Sequence, residues 1–139
     1  MSVLGRKRGV SDLEFYKNGK EIRAEFTRYL MSEKYVPKRY SFVFRYPGIE
    51  LARKMMEYIT AANTIYPANE AEVTLRKSYQ TKAIIKCEQI IQHIQWMIDT
   101  LEDVKLSQFE ILGAKVIKEV TLLKAWRASS KVLSPGNGV

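Results

Sequence analysis

Apolar residues recur along most of the chain at spacings of three and four, the period of one face of a helix. Phe15, Ile22, Phe26 and Tyr29 or Leu30 trace a first stripe, and Ile49, Ala52, Met56 and Ile59 a second. Ile84, Cys87, Ile91, Ile94, Ile98 and Leu101 form a third in strict alternation, the pattern of a bundle seam. Phe109, Leu112, Val116, Leu123 and Trp126 form a fourth, with Glu119 where the same alternation calls for an apolar residue. No run alternates with a period of two for long enough to build a sheet. Tyr40 to Tyr46 has strand-like composition, and a lone edge strand there is the minor alternative.

Helix-start signatures divide the chain at matching places. Ser11-Asp12-Leu13-Glu14, Asn69-Glu70-Ala71-Glu72 and Ser107-Gln108-Phe109-Glu110 each set a short polar cap three residues ahead of a glutamate that can reach back to it. Val10 with Phe15, and Leu106 with Ile111, are placed to staple two of these entries. Pro37 suits the first turn of a second helix, which Tyr46-Pro47-Gly48 should kink, and Asn63 to Asn69, with Pro67, reads as a loop. These features predict an all-α fold, an antiparallel up-down-up-down four-helix bundle over residues 11–132. Its helices fall near 12–34, 38–65 with a kink near 47, 70–102 and 108–130. A flexible basic segment, 1–10, precedes the bundle, and a disordered tail, 133–139, follows it.

A chain of 139 residues with 46% hydrophobic content fills one domain core without disulfides or metal. Its one cysteine, Cys87, lies in a helical run and is expected to be a buried, reduced thiol, which fits a reducing compartment. No stretch approaches the roughly 20 apolar residues that cross a bilayer, and Arg6-Lys7-Arg8 is followed by no apolar signal core. The expected location is the cytoplasm.

The inventory for catalysis is thin. His93, the single histidine, lies outside the third seam between Gln92 and Gln95, and is expected to face solvent or an interface rather than act as a base or ligand. One histidine and one cysteine make a zinc site improbable, and no glutamate has a histidine three residues on, as a di-iron bundle requires. No phosphate-cradling glycine loop is present, and the carboxylates are scattered among bases, as Glu21 and Glu25 are beside Arg28. The expectation is therefore no enzyme, no catalytic residues, no metal and no cofactor.

The basic residues are better organised. The net charge is +8, which favours polyanions. Arg76, Lys77, Lys82 and Lys86 crowd the first half of the third helix, and Lys82, Lys86, Gln89 and His93 share a stripe without an acid. Lys38, Arg39 and Arg45 surround Tyr40 with Tyr46 at their end, and Lys124, Arg127 and Lys131 close the fourth helix beside Trp126. Cations suit a helix C-terminus, so the last group has a structural reading of equal weight, whereas cations near the start of the third helix oppose its dipole. Basic side chains interleaved with aromatics suit RNA, the charges taking the backbone and the rings stacking on unpaired bases. The bland reading of those rings is bundle core or subunit contact, and Tyr79 and Trp96, off the third seam, fit the latter.

Several runs together resemble the accessory variability determinant proteins of diversity-generating retroelements: Val36-Pro37-Lys38-Arg39, Ile59 through Pro67, Ala83 through Ile91, and Leu122-Leu123-Lys124-Ala125-Trp126-Arg127. The resemblance covers nearly the whole chain and rests on helical packing patterns with basic residues rather than on a catalytic signature. It implies a basic four-helix bundle that assembles into a pentameric barrel and works beside a reverse transcriptase. There it would help that enzyme use its template-repeat RNA during mutagenic retrohoming, in which adenine-directed errors are written into a target gene. The implied partners are the reverse transcriptase and nucleic acid, RNA first and DNA second, with no membrane. Pro37-Lys38-Arg39 matches the family's basic start of the second helix, and Lys86, Lys124 and Arg127 match basic positions of helices three and four. The alternative is a structural or protein-interaction bundle of the ribosomal RNA intervening-sequence type, without a retroelement role. A small enzyme is the least supported reading, since no convergent titratable set can be drawn.

Overall fold

In the computed structural model, which describes residues 13–133, the chain forms four long helices, and none of the described residues lies in a strand. They are α1 (Glu14–Leu30), α2 (Tyr46–Thr64), α3 (Glu70–Thr100) and α4 (Glu110–Ser129). Each helix packs on the next, and α4 closes the ring against α1. Side-chain contacts fix the directions. Tyr29 near the end of α1 donates to Gln108 just ahead of α4 (2.6 Å), while Asn18 near its start reaches Glu119. Tyr58 on α2 stacks on Tyr79 of α3, and Gln80 on α3 bonds Ser130 after α4. All neighbours are antiparallel, the up-down-up-down order that short connections favour.

The core follows the predicted stripes closely in α1, where Ile22, Phe26 and Leu30 are fully buried. In α3 the buried face is wider than one seam. Ile91 and Ile98 are half-buried, while Ala83, Ile90, His93 and Met97 lie inside. The reason is that α3 packs on both α2 and α4, so two stripes rather than one leave water. Ala83, Ile90 and Met97 are themselves seven residues apart, a second seam beside the first.

The passage between α1 and α2 departs most from expectation. Helix α1 ends at Leu30 rather than near Lys34, and Met31 and Ser32 donate their N–H groups back to Thr27 and Tyr29. The chain then turns around buried Val36 and passes through a 3-10 turn, Lys38–Tyr40, and a π-helical turn, Ser41–Arg45, directly into α2. The irregular winding thus precedes Pro47 instead of occurring at it, because a proline in the first turn of α2 removes no bond the helix needs. The strand-like run Tyr40 to Tyr46 is helical in this wider sense.

The caps also sort themselves out. Asn69 Oδ1 accepts from the Glu72 N–H at 2.9 Å, and the Glu72 carboxylate accepts from Asn69 Nδ2 at 3.1 Å. Removing this cap by Asn69→Ala is expected to lower stability by about 1 kcal/mol in urea unfolding followed by circular dichroism. The predicted Ser107 cap does not form. Ser107 lies inside the 3-10 turn Leu106–Phe109, where Gln108 accepts from the Lys105 N–H instead (3.0 Å), and Leu106 and Ile111 are both exposed rather than stapled. Ser11, Val10 and the basic run Arg6-Lys7-Arg8 lie outside the described residues, as do residues 134–139. No helix of the described residues is long and apolar enough to cross a membrane.

Candidate nucleic-acid interface

The predicted basic residues resolve into groups with different environments. The best-defined group is on α3. Lys82 is exposed, with Nζ 5.2 Å from the centre of the Tyr79 ring and 5.8 Å from that of Tyr58 on α2. The two rings lie 6.2 Å apart and 28° from parallel. An ammonium over two tyrosine faces is held in place by the ring quadrupoles without being neutralised. Lys86 is one turn further and half-buried, Gln89 is exposed beside it, and positions four apart on a helix are neighbours. Tyr58 was not singled out from the sequence, because its partnership with Tyr79 exists only across two helices.

A second group gathers where α4 ends against the start of α3. The Arg76 guanidinium sits 5.2 Å over the Trp126 ring, whose stack with Phe15 is 4.1 Å between centroids. Burial lowers the Arg76 pKa from its ordinary value, and its Nε, buried, has no hydrogen-bond partner. Arg127 donates from Nη1 to Thr81 Oγ1 at 3.0 Å; Lys77 is half-buried, and Lys124 and Lys131 are exposed. Among the described residues, none of Arg76, Lys77, Lys82, Lys86, Lys124, Arg127 and Lys131 makes an ion pair. The ion pairs formed lie elsewhere: within α2, and between α1 and α4, where Lys115 meets Glu21 and Glu25 and Lys118 meets Glu14.

The third predicted group is divided. Lys38 and Arg39 are exposed, with Arg39 5.0 Å over Tyr40. Arg39 and Tyr40 also line a cleft of about 200 Å³ with Thr100, Glu102 and Asp103, at the far end of α3. At 1.5 Å per residue that is roughly 36 Å along α3 from Arg76, and the local field is mixed rather than basic. Arg45 is not a surface residue. It is buried, and its guanidinium donates Nε to the Leu30 carbonyl (2.9 Å), Nη1 to Ser41 Oγ (2.9 Å) and Nη2 to the Val36 carbonyl (2.7 Å). It ties the α1–α2 connection to the bundle and cannot reach a polyanion.

His93 is likewise buried rather than solvent-facing, and so leaves the stripe that begins with Lys82. Its Nε2 lies 2.8 Å from the carbonyl of Phe44 in the π turn; a carbonyl only accepts, so Nε2 carries the proton. Burial lowers its pKa, the Phe44 bond opposing. Phe26, Phe44 and Trp96 meet its ring edge-on, which explains why an otherwise polar position sits in an apolar layer.

Glu119, the polar entry in the fourth stripe, is completely buried. Its Oε1 accepts from Asn18 Nδ2 (3.0 Å), whose other hydrogen goes to the Lys115 carbonyl (2.8 Å), and its Oε2 has no partner. Burial pushes the carboxyl up to about 8 against the Asn18 bond. Cys87, also buried, has its thiol pushed well above the ordinary range by burial and by Glu119. Among the described residues no cluster of three or more His, Cys, Asp and Glu could hold a metal ion. No protein-family model, no curated protein and no solved structure matches the chain.

Proposed function

We propose that this protein is a nonenzymatic RNA-binding bundle that serves a reverse transcriptase in a diversity-generating retroelement. The observation that carries the binding part is the Lys82 ammonium, set over Tyr58 and Tyr79, with Lys86 one turn away and no carboxylate paired to either among the described residues. Cations that share one stripe of a helix and remain unpaired are best explained by an external anion. Tyrosine rings beside them offer stacking surface to unpaired bases. Arg76, Lys77, Lys124, Arg127 and Lys131 extend the positive field around the same end of the bundle. Lys38 and Arg39, at the other end, where Arg39 shares a cleft with Glu102 and Asp103, suit contact with the polymerase better than with RNA. The retroelement setting and the pentameric assembly rest on the family resemblance of the sequence. The exposed Trp96 and the apolar outer positions of α4 support self-association.

Two measurements test this reading. The tagged protein is expected to copurify with the neighbouring reverse transcriptase, with nuclease reducing the RNA but not the enzyme, and light scattering is expected to give five subunits. In a fluorescence titration with single-stranded RNA, Lys82→Glu with Lys86→Glu is expected to lower the log–log salt slope by about 1.4, at roughly 0.7 per phosphate contact. A wild-type protein with no salt-dependent affinity for RNA sinks the proposal.

A second reading is favoured by α4. Ile117 is 64% exposed, and at Gly113, one turn before it on the same face, an added side chain would meet nothing within 4 Å. A purely structural oligomer would use that face and predicts no RNA affinity for the double charge reversal to remove.

A further inference from the structure

The contact between α1 and α4 carries a buried amide and carboxyl through the core. Outside, Lys115 bonds Glu21 and Glu25, and Lys118 bonds Glu14. Between the helices runs a groove of about 580 Å³ whose lining includes Lys17, Asn18, Ile111, Ala114 and Lys115. Beneath it Asn18 and Glu119 face one another with no water-exposed surface on Glu119. Gly19 makes this burial possible: a Cβ there would lie 2.7 Å from Met56 Sδ and 3.1 Å from Glu119 Oε2. The backbone of α1 therefore approaches the carboxyl more closely than a side chain would permit.

We propose that the α1–α4 contact is the openable side of this bundle, and that the buried Asn18–Glu119 pair is its latch, closed when Glu119 carries a proton and released when it loses it. The unpartnered Oε2 is the reason. A protonated carboxyl leaves one oxygen unbonded at modest expense, whereas a full negative charge there has one amide and no cation to stabilise it. The groups around it offer no rescue while the contact is closed. Among them, α1 presents Glu14, which raises its proton affinity, and α4 presents Lys118, which lowers it while paired to Glu14 at the surface. Lys115 is committed to Glu21 and Glu25, α3 presents the Cys87 thiol, and α2 contributes Met56 and Ile59, neither titratable. Separating α1 from α4 admits water to the carboxylate and leaves the α2–α3 pair packed.

Hydrogen exchange of the full chain across pH, corrected for the intrinsic rate, tests the latch. An open form that binds one proton fewer gains about tenfold in population per pH unit through the range where Glu119 is protonated only when closed, which spans about pH 5 to 8. Amides of α1 and α4 are expected to be less protected than those of α2 and α3 throughout that range, with protection falling by that factor in both pairs because global unfolding releases the same proton, and Glu119→Gln is expected to flatten the profile. Equal protection in all four helices, an unchanged profile in Glu119→Gln, or no pH dependence in the wild type overturns the proposal. A readout on the unmodified chain guards against a variant that does not fold. Cys87 is expected to react with a neutral disulfide reagent about a hundredfold faster per pH unit in that window, tenfold from thiolate and tenfold from opening. Tenfold alone overturns the latch.

Discussion

Arg45→Ala is expected to lower the stability of the bundle by about 2–5 kcal/mol, from two buried carbonyls left without donors and the cavity that truncation opens. The guanidinium makes three bonds, to the Leu30 carbonyl at the end of α1, to Ser41 Oγ, and to the Val36 carbonyl in the turn between them. Truncation leaves two buried carbonyls without donors and opens a hole beneath the π turn. Lysine would fill part of the volume but, as a point donor, cannot span three acceptors, so Arg45→Lys is expected to recover less than half of the loss. Chemical denaturation gives the stability. An RNA titration of the folded variant at low temperature separates this role from a surface one: the salt slope should match the wild type, since Arg45 has no phosphate to release. A variant of normal stability with a reduced slope would return Arg45 to the interface.

The second large effect is a dependence of stability on pH. Glu119 holds a proton in the folded bundle up to about 8, and the unfolded chain releases it near the ordinary carboxylate value of 4.5. The folded state therefore binds one proton more than the unfolded state between those values, and stability falls as pH rises, by about 1.4 kcal/mol per unit. The stabilising contribution is complete below the unfolded value and is lost by the time pH passes the folded one. Glu119→Gln keeps an acceptor for Asn18 and adds no ionisation, so its unfolding free energy is expected to lie on a flatter line and to exceed the wild type near pH 8.5. Urea midpoints at matched ionic strength from pH 5.5 to 8.5 give both slopes; parallel lines would mean that Glu119 is already ionised in the fold.

The helices were legible in the sequence because each presents an apolar stripe to one neighbour or two, and Ile22, Phe26 and Leu30 fall where the period puts them. What the period cannot register is the identity of a partner carbonyl. Arg45 and His93 read as polar surface positions, yet the irregular turn between α1 and α2 leaves the carbonyls of Leu30, Val36 and Phe44 pointing inward, and these two side chains supply the donors. Neither feature has a one-dimensional signature, since the acceptors lie 9, 15 and 49 residues away. The basic groups were legible as charge but not as places. Arg39 comes before α2 in sequence, yet it shares a cleft with Glu102 and Asp103, because α3 runs the whole length of the molecule before the chain turns back. Glu119, by contrast, announced itself as a break in an apolar alternation, and the structure gives that break a partner in Asn18.

The single thiol of the chain is walled into the core. Near neutral pH it reacts only through opening of the bundle, so the molecule is already a quiet background for site-directed probes. A cysteine introduced at Gln89, exposed beside Lys86, would be the one fast thiol present. A dye carried there reports on whatever comes to rest along α3, without first engineering the native sulfur away.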